Sequence, residues 1–196
     1  SIGIMAAAEL KIPHEKFAKA MDYIKENAKE FEEIRLAAAA IEAWGVQECP
    51  FDVKEWLKPL FAMANKTVDS NAKDGGARQL ASFNATLLRL NRVANTQILG
   101  DLQAGQRDDG GWGKKGEKAS DIESTYRVMR CFMLLGRGKQ NRSFWQPKDL
   151  MAVRKFVDSH RNKDGGYAVK PGDKSSMGGV YYSTIITKWV DEMERK

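Results

Sequence analysis

The sequence reads QRDDGGWG at residues 106–113, and the Asp-Gly-Gly within this stretch occurs three times in the chain. Each copy lies between two stretches whose apolar residues recur at helical spacing. The copies are Asp74-Gly75-Gly76, Asp109-Gly110-Gly111 and Asp164-Gly165-Gly166. A helix–loop–helix unit of this size cannot bury its apolar face alone, so several units must stack to form a core. The repetition therefore predicts an all-helical repeat protein.

The chemistry of the repeated turn favours a structural role over a catalytic one. Consecutive glycines can adopt the positive φ values that reverse a chain between two helices. The aspartate before them can accept backbone N–H groups and hold the turn. Gln106, a few residues earlier, can bridge polar groups left unpaired at neighbouring helix ends. We therefore interpret the three aspartates as turn residues, with Gln106 and Trp112 as further parts of the motif.

Outward from the turns, helical periodicity divides the chain into four helical hairpins. They cover residues 11–45, 52–93, 95–136 and 147–196, and the first lacks an Asp-Gly-Gly. No segment alternates apolar and polar residues over the length of a strand, so almost no β-structure is expected. Residues 1–196 are predicted to form one domain. Because the chain opens on an apolar helical stretch at Ser1, we expect it to be part of a longer protein.

The motif around Gln106 resembles a known repeat. Gln106-x-x-x-Gly110-x-Trp112 matches the glutamine–tryptophan motif of squalene and terpenoid cyclases. The third copy, together with the residues that follow it, resembles the repeat of protein prenyltransferase β subunits. The resemblance covers residues 95–196 well and 52–93 weakly. It implies an α/α toroid, a complete or partial ring in which inner and outer helices surround an apolar funnel.

The residues that carry the reactions of this family are missing at the matching positions. The resemblance implies a zinc site of aspartate, cysteine and histidine, but the chain has Asp121, Glu123 and Ser183 there. One ligand of three cannot hold zinc. The Asp-x-Asp-Asp motif of the cyclases is absent from the sequence as well. We therefore predict no catalytic residue, no metal and no cofactor for this chain.

A binding or interaction module is the first functional hypothesis. In this family the helix after each Gly-Gly loop lines the funnel, which makes five residues candidates to line a cavity. They are Tyr126, Arg130, Tyr181, Tyr182 and Thr187. Aromatic and polar groups around an apolar cavity suit an isoprenoid-like, lipid-like or peptide ligand. The competing interpretation is that the tyrosines only pack between helices.

The second hypothesis is an enzyme of the terpenoid cyclase or prenyltransferase type, or one with an unrelated activity such as polysaccharide cleavage on a similar helical toroid. Its catalytic residues would lie in sequence outside this chain, since fewer helices are predicted here than a full ring of the family contains. An incomplete ring would also expose apolar side chains at its ends. Self-association through these ends is therefore expected.

Charge does not favour nucleic acid as a partner. The net charge of +6 comes from residues 101–196, where Lys114, Lys115 and Lys118 cluster. Acidic residues are interspersed and no aromatic stripe accompanies the lysines, so we interpret them as solvated loop charges.

No apolar run reaches the roughly 20 residues that a membrane-spanning helix needs. Cys49 and Cys131 lack the Cys-x-x-Cys spacing of a zinc site.

Overall fold

The structure, a computed structural model, describes residues 1–61, 71–90, 98–137 and 146–195. These residues form helices joined by turns and loops, and their β-structure is limited to an isolated antiparallel bridge between Arg161 and Tyr167. The predicted all-α class is confirmed for this part of the chain. The arrangement of the hairpins as a toroid stays a prediction. None of the helices described combines the length and hydrophobicity that a bilayer-spanning segment needs.

Two compact units make up the fold. The first comprises Ser1–Lys66 and Thr86–Ala94, and the second comprises Thr67–Ala85 and Asn95–Lys196. The hairpin predicted at residues 11–45, which lacks the turn motif, lies in the first unit. All three Asp-Gly-Gly turns lie in the second unit, so the repeats that carry the motif share one core.

The first unit is built around an alanine-rich helix. Its helices are α1 (Ile2–Glu9), α2 (Ala18–Asn27), α3 (Phe31–Trp44) and α4 (Val53–Trp56). The side chains of Glu30 and Glu33 accept each other's backbone N–H, and this capping box starts α3. The helix ends at Gly45, whose φ of 110° suits glycine. Helix α1 packs against α3, where small residues such as Ala37 and Ala38 are fully buried.

The second unit packs consecutive hairpins side by side. Its helices are α5 (Ala77–Arg89), which the division between the units cuts at Thr86, followed by α6 (Leu99–Ala104), α7 (Ile122–Leu135), α8 (Leu150–Asp158) and α9 (Met177–Glu194). Helix α9 packs against both α7 and α8. Leu102, Met129 and Phe132 are fully buried, so this core gathers side chains from α6 and α7.

Short polar side chains determine where the last three helices begin. The N-cap residues of α7, α8 and α9 are Asp121, Asp149 and Ser176. Each side-chain oxygen accepts a backbone N–H from the first turn of its helix, an interaction that contributes about 1 kcal/mol. The caps fix the register of each helix relative to the loop before it. That register decides which side chains of α7 and α9 meet.

Candidate functional site

The second and third Asp-Gly-Gly turns are closed by the same hydrogen bonds. Oδ1 of the aspartate accepts the N–H of the second glycine, at 3.0 Å for Asp109 and 2.9 Å for Asp164. The same oxygen accepts a serine hydroxyl from 11 residues further on, Ser120 at 2.7 Å and Ser175 at 2.8 Å. The bond from Ser175, followed by that from Gly166, lowers the pKa of the Asp164 carboxyl. Both carboxylates act as acceptors within their own loops.

The glycines are required where these turns reverse the chain. Gly75, Gly110 and Gly165 have φ values of 84°, 90° and 83°, in the left-handed region that favours glycine. Gly110 lies against the backbone of Ala152, and Gly75 lies against the backbone of Lys115, with no space for a Cβ atom. A side chain at Gly75 or Gly110 would therefore displace a neighbouring segment as well as strain its own backbone.

The first turn closes differently because α5 begins directly after it. Oδ1 of Asp74 accepts the N–H of Gly116, at 2.7 Å, from the loop of the second copy. Arg107 joins the same two copies. Its Nε and Nη2 donate to the carbonyl of Lys73 at 3.1 and 2.9 Å, and its Nη1 donates to that of Ala119 at 2.6 Å. Neighbouring repeats are thereby linked by both a carboxylate and a guanidinium.

Gln106 and Trp112 hold helix ends together. Nε2 of Gln106 donates to the carbonyls of Gly110 and Asp149 at 3.0 and 2.7 Å, and its Oε1 accepts the N–H of Asp149 at 2.9 Å. Asp149 is the N-cap of α8, so one side chain joins the turn to the next helix. The Trp112 indole is buried, and its Nε1 donates to the carbonyl of Leu102 at 2.8 Å. The polar groups of the motif are used for structure.

Aromatic side chains gather where α7 faces α9. They are Tyr126, Tyr181, Tyr182 and Trp189, which we term the aromatic cluster. The Tyr126 ring is central, with centroids 5.7, 5.1 and 5.2 Å from those of the other three. It stacks on Trp189 at an interplanar angle of 25°. Pairs of this kind contribute about 0.5–1.5 kcal/mol each beyond the area they bury.

A hydrogen-bonded chain joins the aromatic cluster to Arg130. Nη1 of Arg130 donates to the Tyr126 hydroxyl at 2.9 Å, and the hydroxyl oxygens of Tyr126 and Tyr181 are 3.2 Å apart. The two tyrosines are 55 residues apart, as are Asp109 and Asp164, so they hold equivalent positions after the second and third Asp-Gly-Gly turns. The hydrogen bond with Tyr126, and then partial burial, raises the pKa of Tyr181 to about 12. The phenol therefore stays protonated at neutral pH, able to hydrogen-bond but not to act as a phenolate.

A cavity of about 380 Å³, which we term the α7/α9 cavity, lies between the C-terminal halves of these helices. Its apolar lining includes Met133, Leu134, Trp189 and Met193, and its charged lining comprises Arg130, Arg137, Lys188 and Glu192. Small-molecule sites typically enclose roughly 300–1,000 Å³. Arg130 and Trp189 line this cavity and also contact Tyr126, so the cavity is continuous with the aromatic cluster.

The predicted lining residues occupy three places in the structure. Arg130 lines the α7/α9 cavity, whereas Tyr126, Tyr181 and Tyr182 pack within the aromatic cluster. Thr187 lines a different cavity of about 410 Å³, together with Tyr167, Thr184, Lys188, Asp191, Glu192 and Arg195. Some of the predicted lining residues on α7 and α9 therefore pack against other rings, and others line a cavity.

The positions that match the zinc site of prenyltransferases carry out other tasks. Asp121 caps α7 and accepts the Ser124 hydroxyl at 2.6 Å. Glu123 lies 2.6 Å from Nη2 of Arg127 in an ion pair, and the Ser183 side chain is buried. Within the described ranges, no three His, Cys, Asp or Glu side chains come together as a metal ion would require.

Several residues of the site were missed by the sequence reasoning. Met133 lies on the same face of α7 as Tyr126 and Arg130, a spacing that could have indicated it. Trp189 lies two turns after Tyr182 on α9, and this helical spacing could likewise have indicated it. Ser120 and Ser175 follow their aspartates by the same 11 residues, a repeat signal that was present in the sequence.

Comparisons with protein-family models, with curated proteins and with solved structures return no match. Functional inference therefore depends on the turns, the aromatic cluster and the cavity themselves.

Proposed function

We propose that this chain is a repeat domain of the prenyltransferase and squalene cyclase type that serves as a binding module. Its ligand is an apolar molecule of isoprenoid-like, lipid-like or peptide character. The ligand occupies the α7/α9 cavity and contacts the edge of the aromatic cluster at Trp189. The three Asp-Gly-Gly turns act as the scaffold that sets the spacing of α7 and α9.

The observation that carries the proposal is the α7/α9 cavity, with its apolar wall of Met133, Leu134, Trp189 and Met193. Methionine side chains adapt to irregular apolar ligands, and tryptophan supplies a large rigid contact surface. Charged groups at Arg130 and Lys188 supply polar contacts beside this wall. The cavity thus combines an apolar wall with charged groups, a composition that suits a ligand with an apolar body and a polar end.

The alternative is an enzyme of the terpenoid cyclase or prenyltransferase type whose catalytic residues lie in sequence outside this chain. It remains a prediction of the resemblance. Nothing about Asp109 and Asp164 favours it, because both carboxylates already accept hydrogen bonds within their loops.

The binding proposal is tested by calorimetric titration with farnesol, dodecanol and an apolar hexapeptide. We expect at least one of these probes to bind the wild-type chain. The substitution Met133→Glu places a carboxylate on the apolar wall, and the cost of desolvating it should weaken binding by roughly tenfold or more. The matched control is Met151→Glu, because Met151 is 56% exposed on α8 and should tolerate the charge.

Thermal midpoints of both variants establish that they remain folded under the conditions of the titration. If none of the three probes binds the wild-type chain, the binding proposal is wrong. It is equally wrong if Met133→Glu and Met151→Glu bind the probes alike.

We also propose that the chain associates with a second copy of itself through exposed apolar residues of the first unit. Ile2 and Leu10 are each 73% exposed at the two ends of α1, and Leu36 on α3 is 41% exposed. Large apolar side chains that remain in water favour association.

A further inference from the structure

We infer that the ligand of the α7/α9 cavity is an aliphatic carboxylate, bound with its carboxylate on Arg130 and its chain against Met133 and Trp189. The inference rests on the proposed function, since it concerns the same cavity. It goes further by assigning the ligand a charged head and by naming the residue that recognises it.

Arg130 differs from Arg107, Arg127 and Arg154 of the second unit in what it contacts. Nη2 of Arg127 lies 2.6 Å from Glu123, and Nη2 of Arg154 lies 2.6 Å from Asp191 and 2.8 Å from Glu194. Arg107 donates to three backbone carbonyls of nearby loops. Among the described residues Arg130 makes a single hydrogen bond, to Tyr126, and no ion pair.

The donors that Arg130 leaves unused lie together on one edge of its guanidinium. Nη1 is engaged with the Tyr126 hydroxyl, while Nε is buried and has no acceptor among the residues that the structure describes. The Nε and Nη2 groups form two parallel donors, a geometry that matches the two oxygens of a planar carboxylate. A half-buried cation without a counter-charge is unfavourable, so a carboxylate arriving in the cavity would satisfy both the charge and the N–H groups.

The other charged groups of the cavity favour an anionic head group. Lys188 lies 3.9 Å from Glu192, which is four residues further along α9 and lines the cavity as well. Glu192 therefore partly balances Lys188, whereas Arg137, which also lines the cavity, is exposed and adds a positive charge that attracts an anion. A positively charged head is disfavoured by Arg130 itself. One carboxylate on an apolar chain fits both the cation and the wall.

The test compares three ligands that share a twelve-carbon chain, namely dodecanoate, dodecanol and dodecyl phosphate, titrated below their micelle concentrations at pH 8. Dodecanoate is expected to bind the wild-type chain roughly tenfold or more tightly than dodecanol, as hydrogen bonds between charged groups allow. Arg130→Gln should abolish this difference, with dodecanoate losing more affinity than dodecanol. Arg130→Lys keeps the charge but loses the two-donor edge, so it should retain only part of the difference.

Arg161→Gln is the matched control, because Arg161 is exposed outside the cavity and its loss should leave the preference intact. Thermal midpoints show whether each variant is folded. Equal binding of dodecanoate and dodecanol by the wild-type chain would overturn the inference but leave the apolar cavity as a binding site. Preference for dodecyl phosphate, or a preference that survives Arg130→Gln, would also overturn it. Failure of all three to bind would overturn the inference, and it would remove the proposed function only if farnesol and the hexapeptide fail as well.

Discussion

Among individual residues, His160 shows how burial determines a response to pH. Its side chain is 1% exposed and packs edge-on against Phe156, with ring centroids 4.7 Å apart. Nδ1 lies 2.8 Å from the Phe156 carbonyl, which can only accept, so Nδ1 carries the proton. Nε2 is buried and has no hydrogen-bond partner within the described ranges of the chain. Burial lowers the pKa of His160, against smaller opposing effects of the Phe156 hydrogen bond and of the charges of Asp109 and Asp121.

This shift predicts that the fold loses stability as the solution becomes acidic. The pKa of His160 is lower in the folded chain than in the unfolded chain, so the unfolded state binds more protons. Neutral His160 therefore makes its full contribution to the free energy of unfolding above its ordinary pKa. This contribution is lost as the pH falls through the pKa that His160 has in the folded chain. We expect the thermal midpoint of the wild-type chain to fall between pH 7.5 and pH 5.5, and to fall less in His160→Gln.

Circular dichroism melts at several pH values measure this slope. Phe156→Leu is the control, since it loosens the same contact by about 1 kcal/mol but keeps the imidazole. Its midpoint should be lower at every pH, with the slope of the wild type. Parallel curves for the wild type and His160→Gln would contradict the prediction.

At the scale of the element, the repeat signal predicted the helices well. The hairpin predicted at residues 95–136 contains α7, which begins at Ile122 because a capping aspartate precedes its strongly periodic apolar stripe. The hairpin predicted at residues 147–196 contains α9, which begins at Met177 because its serine cap lies before the apolar stripe. Local patterns of caps and periodicity thus determine where helices lie.

The same patterns could not predict how side chains from different helices meet. The sequence identified Tyr126 and Tyr181 separately, but their hydrogen bond depends on the packing of α7 against α9. Arg130 has no acidic partner among the described residues, whereas Arg127, three residues earlier, does. Tertiary structure decides whether an arginine forms an ion pair with a carboxylate. It also decides whether a cavity such as the α7/α9 cavity forms.

The Asp-Gly-Gly loop makes a testable prediction about stability. Asp109 accepts hydrogen bonds from the backbone of Gly111 and from both the hydroxyl and the backbone of Ser120. Asp109→Ala should therefore lower the free energy of unfolding by about 1–2 kcal/mol, since charged acceptors are lost and their donors are left behind. Urea denaturation measures the change.

The neighbouring residue provides the control for this experiment. Asp108 has a fully exposed side chain, and its one ion pair, with Lys73, spans 3.5 Å. Asp108→Ala should leave the unfolding transition unchanged within error. Ser120→Ala combined with Asp109→Ala should cost less than the sum of the two single changes, because both remove the same bond. Strictly additive losses would show that the hydroxyl contact does not contribute.

For the molecule as a whole, the exposed apolar residues of α1 and α3 are the basis of the proposed association through the first unit. Ile2, Leu10 and Leu36 are large apolar residues on α1, at its end and on α3, and these two helices pack together. The second unit also exposes large apolar side chains, at Met151, Met177 and Tyr181, and α9 carries exposed polar residues such as Thr184 and Lys188 as well. Apolar side chains favour contact with another copy, whereas solvated polar side chains do not.

We therefore expect the apparent mass in light scattering to rise with protein concentration. Ile2→Glu combined with Leu10→Glu should reduce this rise, because burying two carboxylates in an apolar contact is unfavourable. Met177→Glu serves as the control, since Met177 is 87% exposed at the start of α9 and lies in the second unit. A wild-type mass that stays monomeric at high concentration would contradict association. If Met177→Glu suppresses the rise in apparent mass as strongly as Ile2→Glu combined with Leu10→Glu, the contact does not depend specifically on α1.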